Sequence, residues 1–235
     1  MIDTMPAGPA VAHPRSAART FAGFAAGCLI AFMACAVPAA AQSGLAQESG
    51  AQPANFGEEV ASVDAHKVAD WIVASGDNQG LPFLIVDKSN AKVFQFDAHD
   101  EIQGAAPALL GLGHGDDSVP GIGHRRLATI TNEERTTAAG RFEASLGNDF
   151  EQDVLWIDYD AGLSLHRVIV GKPAERRHAR LASPTSLDNR ISYGCINVPV
   201  QFYDSVVVPA FSDTVGIVYI LPETRPLEEV FAMGK

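Results

Sequence analysis

Short apolar runs separated by turn residues are the feature that most narrows what this chain can fold into. Residues 81–87 and 93–96 flank a Ser-Asn turn, and residues 154–159 and 163–170 flank an Asp-Ala-Gly turn. Pairs of short apolar runs around such turns predict β-hairpins. Residues 215–221 are rich in Val and Ile and predict a closing strand. The pattern therefore indicates a chain made mostly of β-structure.

The remaining segments add one strand, two helices and a loop. Residues 102–112 predict a strand, and residues 64–76 predict a helix with Asp64 as its cap. Residues 200–211 predict a short helix, and residues 171–191 a polar, Arg-rich loop. Many short strands with few helices favour a mostly β fold, either a β-sandwich or a barrel-like sheet, with a few short helices.

Residues 1–41 have the pattern of a secretory signal peptide. Basic Arg15 and Arg19 precede an apolar, Ala-rich run at residues 21–37, and an Ala cluster just before Gln42 fits a small-residue cleavage site. We therefore expect export to the periplasm or cell envelope, with cleavage near Gln42. The apolar run is also long enough to act as an uncleaved anchor, which is the alternative.

The rest of the chain predicts one domain after a linker. Residues 42–57 are rich in Gln, Ser, Gly, Ala and Pro and predict a flexible linker, and residues 58–235 predict a single domain. No apolar segment after the signal is long enough to cross a bilayer, so no membrane span is expected in the mature form. The chain has 17 Lys and Arg against 28 Asp and Glu. This argues against a nucleic-acid partner, because phosphate binding needs clustered basic side chains.

One cysteine stands apart from the other two. Cys28 and Cys35 lie in the predicted signal, so the exported chain would keep Cys195 alone. A single cysteine cannot form an internal disulfide, and in an oxidising compartment a lone thiol is either buried and inert or a nucleophile. Cys195 follows Gly194 and has polar residues nearby, which favours the nucleophile.

A cysteine nucleophile needs a base and donors for an oxyanion. We predict that the amides of Gly194 and Cys195 face the oxyanion, because glycine lets the backbone approach a substrate closely. His166, at the end of a predicted strand, is the favoured base. His178, in a polar and solvated stretch closer to Cys195 in sequence, is the alternative base. This chemistry requires no metal and no cofactor.

The segment Ser192-Tyr193-Gly194-Cys195-Ile196-Asn197 resembles the Ser-His-Gly-Cys-x-Asn/Arg signature of the L,D-transpeptidases, the YkuD-type catalytic domain family. Upstream, residues 136–142 resemble the Thr-Pro-x-Gly-x-Phe turn that precedes a strand, and His166 resembles the base that lies on a strand. The resemblance covers roughly residues 80–222 and implies the catalytic fold of that family.

The resemblance implies a two-step acyl transfer on peptidoglycan stem peptides. Cys195 would attack the carbonyl of an L-centred peptide bond, D-Ala would leave, and a thioester would form while His166 moves the proton. An amine acceptor would then give cross-links or attach a protein. The alternatives are water as acceptor, which makes a cysteine peptidase of the same fold, and a catalytically weak wall-binding module. The oligomeric state is left open.

The sequence departs from the family pattern beside the nucleophile. Tyr193 stands where the family has His, and Arg167-Val168 stand where Gly-Thr is usual. Tyr193 either donates to substrate or packs, and Arg190 either binds a substrate carboxylate or pairs with Asp188. Asn197 is predicted to brace the turn through side-chain to backbone bonds. The predicted oxyanion and substrate-binding set is Ser192, Tyr193, Gly194, Arg190 and Asn197.

Overall fold

A computed structural model describes residues 53–149 and 152–233. Its strands are β1 (Phe83–Asp87), β2 (Lys92–Phe96), β3 (Ile102–Pro107), β4 (Leu110–Gly111), β5 (Gly140–Asp149), β6 (Gln152–Asp158), β7 (Leu163–Arg167), β8 (Arg190–Ser192), β9 (Ile196–Val198) and β10 (Gly216–Ile220). Its helices are α1 (Val63–Ser75), α2 (Arg177–Leu181), α3 (Val200–Phe202), α4 (Val208–Phe211) and α5 (Leu227–Val230), with a π-helical turn (Tyr203–Val207) between α3 and α4. The predicted signal peptide and most of the predicted linker lie outside the described residues.

Eight of these strands form one sheet, in the order β3-β2-β1-β10-β5-β6-β7-β9. Neighbouring strands pair antiparallel except β1 with β10 and β7 with β9, which run parallel. Strands β4 and β8 form a separate parallel pair. Both predicted hairpins, β1–β2 and β6–β7, are confirmed, and so is the mostly β fold with a few short helices.

The two edges of the large sheet approach each other. Just after β3, the Leu109 amide donates to the Asn197 carbonyl at 2.8 Å, and the Asn197 amide donates back at 2.9 Å. Asn197 lies in β9, which is the opposite edge of the sheet, so the sheet curls into a nearly closed, barrel-like form. This pairing satisfies backbone groups that an open edge would leave free.

Strand β1 is buried at every position because it is covered on both faces. Leu84 and Val86 enter one hydrophobic core, while Phe83 and Ile85 enter a second core together with α1. Successive side chains of a strand point to opposite faces, so a strand covered on both sides appears in sequence as a continuous apolar run. This explains why the first predicted strand had no alternation.

Helix α1 confirms the predicted helix but not its cap. Ser62 is the N-cap, and its hydroxyl accepts from the Ala65 amide at 3.1 Å. Asp64 lies in the first turn instead, where its charge suits the helix N-terminus. The helix ends at Gly76, whose positive φ of 66° closes the last turn with a bond to Ile72. In the described ranges no helix is both long and apolar enough to cross a membrane.

Two predicted segments contain structure that their sequence pattern did not indicate. The strand predicted at residues 102–112 ends at Pro107 and resumes as β4, which leaves the large sheet to pair with β8. Proline has no amide to donate to a strand partner, so a break there is expected. The loop predicted at residues 171–191 contains α2 and most of β8, so it is partly ordered by regular structure.

The end of the predicted linker packs on the domain. Phe56 is 4% exposed, and its ring meets Phe94 and Phe96 edge to face, with centroids 5.1 and 5.2 Å apart. A large apolar side chain gains about 1.5–3 kcal/mol on burial, which offsets part of the entropy cost of ordering the stretch around Phe56. The packed domain therefore begins before residue 58.

Candidate active site

The pairing of β7 with β9 places Cys195 beside His166. The two strands run parallel, with Leu165 opposite Ile196 and His166 opposite Asn197. Cys195 immediately precedes β9, so it lies next to the end of β7 although the two segments are far apart in sequence. Side chains carried by paired strands hold a fixed geometry better than side chains carried by two loops.

The Cys195 thiol is half-buried and has two partners near the start of β7. Its sulfur donates to the Gly162 carbonyl at 3.3 Å, and the Ser164 hydroxyl donates to the sulfur at 3.6 Å. The sequence pattern singled out neither partner. Together they orient the sulfur instead of leaving it free to rotate.

The His166 ring is held in one tautomer by the backbone. Its Nδ1 contacts the Arg167 carbonyl oxygen at 2.7 Å. A carbonyl only accepts hydrogen bonds, so the neutral ring carries its proton on Nδ1 and leaves the lone pair on Nε2. Nε2 is therefore the atom able to take the thiol proton, as a general base must.

Cys195 and His166 shift each other's pKa in opposite directions. Burial alone would raise the pKa of the thiol, but the hydrogen bond and charge of His166 bring it below its ordinary value. Burial alone would lower the pKa of the imidazole, but the hydrogen bond and charge of Cys195 raise it. Both shifts favour the thiolate, which is the nucleophilic form, next to an imidazolium.

The alternative base, His178, does not meet the thiol. It is exposed on α2, and its ring makes no hydrogen bond to another described residue. His166 is the histidine whose hydrogen bond and charge act on the pKa of the Cys195 thiol. Of the two candidates, the structure brings together Cys195 and His166.

The turn that carries the nucleophile fits only a glycine before the cysteine. Gly194 has a φ of +132°, and a Cβ added there would lie 2.8 Å from the Thr136 carbonyl oxygen. The Thr137 hydroxyl donates to the Gly194 carbonyl at 2.7 Å. The segment before β5 therefore supports the turn, which gives the 136–142 motif a physical role beside Cys195.

The two amides predicted to hold an oxyanion differ in availability. The Gly194 amide donates to the Ser192 hydroxyl at 3.1 Å, and that hydroxyl donates to the Cys195 carbonyl at 2.6 Å. In this arrangement an acceptor inside the turn already uses the Gly194 amide, and its role toward an oxyanion stays a prediction. Buried Ser192 likewise braces the turn. The Cys195 amide donates to no other group in the described part of the chain.

Tyr193 forms an accessible wall beside the nucleophile. Its side chain is 40% exposed, and the Arg135 guanidinium carbon lies 3.9 Å from the ring centroid. This is a cation–π contact. Arg135 Nε also donates to the Ser192 carbonyl at 3.1 Å, and the same guanidinium bonds the Ile191 carbonyl. Tyr193 is thus packed on a fixed cation, and its donation to substrate stays a prediction.

A groove opens next to the thiol. Its lining includes Ile122, Ala138 and Leu163, together with Tyr193 and Gly194. Most of these side chains are small or apolar. A ligand in this groove would lie against the turn that carries the nucleophile.

Arg190 is buried in an ion pair and does not line the groove. Its guanidinium meets both carboxylate oxygens of Glu223 and donates to the Lys88 carbonyl at 3.1 Å. The alternative of a pair with Asp188 is wrong, because that carboxylate accepts from the Ser183 hydroxyl at 2.6 Å. Because its guanidinium N–H groups already bond Glu223 and the Lys88 carbonyl, Arg190 stabilises the segments around the site.

Asn197 connects the nucleophile, the base and the 171–191 segment. Its Nδ2 donates to the Cys195 carbonyl at 3.3 Å and lies 3.4 Å from His166 Nε2. Its Oδ1 accepts from Arg177 at 2.8 Å. The bond to the Cys195 carbonyl is the bracing contact expected from the sequence, whereas the other two contacts were not anticipated.

A buried lysine just after β1 connects the Gly-rich loop, residues 113–123, to the segment that supports the nucleophile turn. Lys88 Nζ donates to Asp116 Oδ1 at 2.7 Å and to the Thr137 carbonyl at 2.9 Å. Burial alone would raise the pKa of the Asp116 carboxyl, but Lys88, Thr224 and nearby backbone amides hold it well below its usual range. Both side chains of the Lys88–Asp116 pair are fully buried.

The comparisons with known proteins find likeness only at the level of solved structures. No family model matches the chain, and no curated protein matches it. The chain is similar to the crystal structure of the helical cell shape determining protein Pgp2 from Campylobacter jejuni, with a TM-score of 0.41, 13% identity, and coverage of 66% of this chain and 55% of that one. It is similar also to the K307A mutant of Pgp2, with a TM-score of 0.40, 13% identity, and coverage of 70% and 58%. The chain therefore spans somewhat more than half the length of these distantly similar structures.

Proposed function

We propose that the protein is an exported cysteine acyltransferase of the L,D-transpeptidase type that acts on peptidoglycan stem peptides. The observation that carries the proposal is the Cys195–His166 pair: the thiol is oriented by Gly162 and Ser164, the Arg167 carbonyl holds the ring, and His166 lowers the pKa of the thiol. The resemblance of residues 192–197 to the transpeptidase signature supplies the substrate class. The predicted signal peptide places the reaction outside the cytoplasm, where peptidoglycan lies.

The first step forms a thioester. His166 Nε2 takes the thiol proton, and the Cys195 sulfur attacks the carbonyl carbon of the L-centred bond to the terminal D-Ala. The Cys195 amide donates to the resulting oxyanion. The carbon–nitrogen bond then breaks, and the imidazolium returns its proton to the leaving D-Ala amine.

The second step resolves the thioester. An acceptor amine enters the groove, loses a proton to His166 Nε2 and attacks the thioester carbonyl, and the sulfur leaves to recover that proton. Water in place of the amine gives hydrolysis through the same steps. Tyr193 lines the groove beside the thiol, which supports the inference that it influences this choice.

Incubation of the purified protein with tetrapeptide muropeptides, read by mass spectrometry, tests the proposal. We expect an adduct on the Cys195 peptide equal to the stem minus its D-Ala, followed by cross-linked dimers. The Cys195→Ala variant should give neither product, whereas the His178→Ala control should give both.

Other outcomes identify the alternatives. Trimmed stems without dimers assign water as the acceptor and a peptidase activity. Binding of muropeptides with no adduct and no turnover indicates a wall-binding module and contradicts the proposal. Undiminished turnover by Cys195→Ala contradicts the mechanism itself.

A further inference from the structure

Arg177 is unusual within its segment because it is buried there. It is 9% exposed, whereas Arg176 and His178 beside it are exposed. Its Nε donates to Glu175 Oε2 at 2.6 Å, and its other arm reaches Asn197. Gly171 lets the chain fold back tightly here, since a Cβ at that position would lie 2.5 Å from the Glu175 carboxylate. The segment is therefore shaped to bring one arginine to the candidate site.

The guanidinium decides which way the Asn197 side chain faces. Arginine has only donors, so the atom of Asn197 that lies 2.8 Å from Arg177 must be the carbonyl oxygen. The NH2 group then faces the Cys195 carbonyl and His166 Nε2. An Asn amide without such a partner can rotate and present either end.

This orientation of the Asn197 amide agrees with the tautomer of His166 that the Arg167 carbonyl sets at Nδ1. An NH2 group facing Nε2 is compatible with a lone pair on that nitrogen and opposed to a proton there. The Arg167 carbonyl holds the ring proton on Nδ1, which also leaves the lone pair on Nε2. Two independent contacts thus favour the same neutral form of His166.

We propose that Arg177 is a positioning residue for the candidate base: it fixes the Asn197 amide so that its NH2 group opposes a resting proton on His166 Nε2 and keeps that nitrogen available to accept the thiol proton. The proposal rests on the assignment of Cys195 and His166 as the reacting pair. Arg177 bonds Asn197 and no atom of Cys195 in the described residues, so it acts on the ring through Asn197 and, at longer range, through its charge.

The charges around His166 have opposed effects on its pKa. The positive charge of Arg177 lowers that pKa, whereas the hydrogen bond and negative charge of Cys195 raise it. Among the described residues, these are the two charged side chains with the largest effect on the ring, and Asn197 and the Arg167 carbonyl are its neutral partners. Loss of Arg177 therefore removes a positive charge near His166. It also lets the Asn197 amide rotate its NH2 group away from Nε2, and both changes favour the imidazolium.

The experiment follows the His166 ring by NMR titration in a Cys195→Ala background, where no thiol couples to it and no substrate is needed. We expect Arg177→Gln to raise the pKa of His166 and Asn197→Ala to raise it as well. If Arg177 acts through Asn197, the two changes combined should raise it by less than the sum of the single shifts. Arg180→Gln is the matched control, because Arg180 also lies on α2 and bonds the Glu175 carbonyl but does not reach Asn197.

Two results would overturn the proposal: an unchanged pKa in Arg177→Gln, or shifts that add in full. If Arg177→Gln does not fold, Arg177→Met carries the test, since it keeps much of the side-chain stem and removes the same charge and donors; it should raise the pKa of His166 less when Asn197 is already Ala than in the native background. Arg177→Lys keeps a donor and a charge and should restore most of the native value.

A kinetic readout separates this inference from the proposed function. On muropeptides, Arg177→Gln should lower kcat roughly three- to tenfold, the kinetic equivalent of one hydrogen bond, with little change in KM. If the native protein turns over no muropeptide, the proposed function fails, while the NMR titration still decides the role of Arg177.

Discussion

At the residue scale, the site depends on two side chains that change each other's protonation. The thiol of Cys195 has a pKa below its ordinary value because His166 offsets the cost of burying a thiolate. The ring of His166 is kept in place by a carbonyl of its own strand. A buried thiol without such a partner would be inert at neutral pH.

The reactivity of Cys195 toward iodoacetamide checks this pairing. In His166→Ala, burial of the thiol remains and the imidazole is gone, so the pKa of Cys195 should rise and the pH profile of alkylation should move to higher pH. Alkylation at neutral pH should slow by roughly tenfold or more. The rate is measured by mass spectrometry on the peptide that contains Cys195.

His178→Ala is the control for that measurement. Its ring is exposed on α2 and acts on no group at the thiol, so the alkylation profile should be unchanged. A slower reaction in His178→Ala together with a native rate in His166→Ala would assign the base to the other histidine.

At the element scale, the turn between β8 and β9 is held by the segment that leads into β5. Thr137 is fully buried and bonds both ways, donating to the Gly194 carbonyl at 2.7 Å and accepting from the Gly111 amide at 2.9 Å. One hydroxyl thus ties β4 to the nucleophile turn. Replacing it leaves two buried backbone groups without partners.

Thr137→Val should lower the free energy of unfolding by about 1–3 kcal/mol, because it keeps the shape of the side chain and removes both hydrogen bonds. Thr136→Val is the control, since the Thr136 hydroxyl bonds the Asp117 carbonyl at 2.6 Å near the surface, where water can replace it. Urea denaturation measures both variants. Equal losses in the two would show that the turn does not depend on Thr137.

At the scale of the whole molecule, a buried ionic cluster connects the Gly-rich loop to β8, the strand that precedes the nucleophile turn. Lys88 pairs with Asp116, and Arg190 pairs with Glu223, with all four side chains buried. The carboxyls of Asp116 and Glu223 both have pKa values below their ordinary range, although burial alone would raise them. Hydrogen bonds to the ionised forms explain these shifts.

The cluster predicts a fall of stability in acid. A carboxyl whose pKa is lower in the folded than in the unfolded state stabilises the fold at neutral pH, and this contribution is lost as the pH falls from about 4 through the folded value. The free energy of unfolding of the native protein should therefore decline below about pH 4. Asp116→Asn should lower it at pH 7 by up to about 3 kcal/mol, because buried Lys88 loses its hydrogen-bonded partner and keeps only the pair with Glu223 at 3.7 Å, and should flatten the acid decline.

Asp117→Asn provides the comparison at the neighbouring position. Its carboxylate is 81% exposed and meets Arg225 at 3.2 Å, so the loss should stay within about 1 kcal/mol. Chemical denaturation from pH 7 to pH 2.5 records both variants. An Asp116→Asn curve that falls in acid as steeply as the native curve would contradict the assignment.

Features that depend on neighbouring residues were predictable. The hairpins β1–β2 and β6–β7 and the helix α1 follow from local patterns of apolar and turn residues, and they are confirmed. The candidate nucleophile also followed from a local pattern, because a glycine directly before Cys195 lets the backbone approach a substrate closely. The break of the third strand at Pro107 and the N-cap at Ser62 also depend on neighbouring residues. The strand pattern continued past Pro107 to residue 112, and Asp64 is also a residue type that caps helices.

Features that depend on long-range contacts were not predictable. Lys88 and Arg135 reach the site from segments that carry no chemical motif, and Arg177 lay in a stretch that appeared solvated. The predicted pair of Arg190 with Asp188 was wrong because its partner, Glu223, comes from the C-terminal segment. Nothing in the order of residues marks which of several arginines will be buried.

The sequence by itself determined a mostly β chain, the residues of its hairpins and a candidate nucleophile in a glycine turn, because strand alternation and turn chemistry act over a few residues. Only the tertiary structure decided which histidine meets Cys195, since the parallel pairing of β7 with β9 sets that contact. It also decided that the Gly194 amide is used within the turn and that Arg177 orients Asn197. These outcomes depend on how distant segments pack, and that packing is a property of the whole fold.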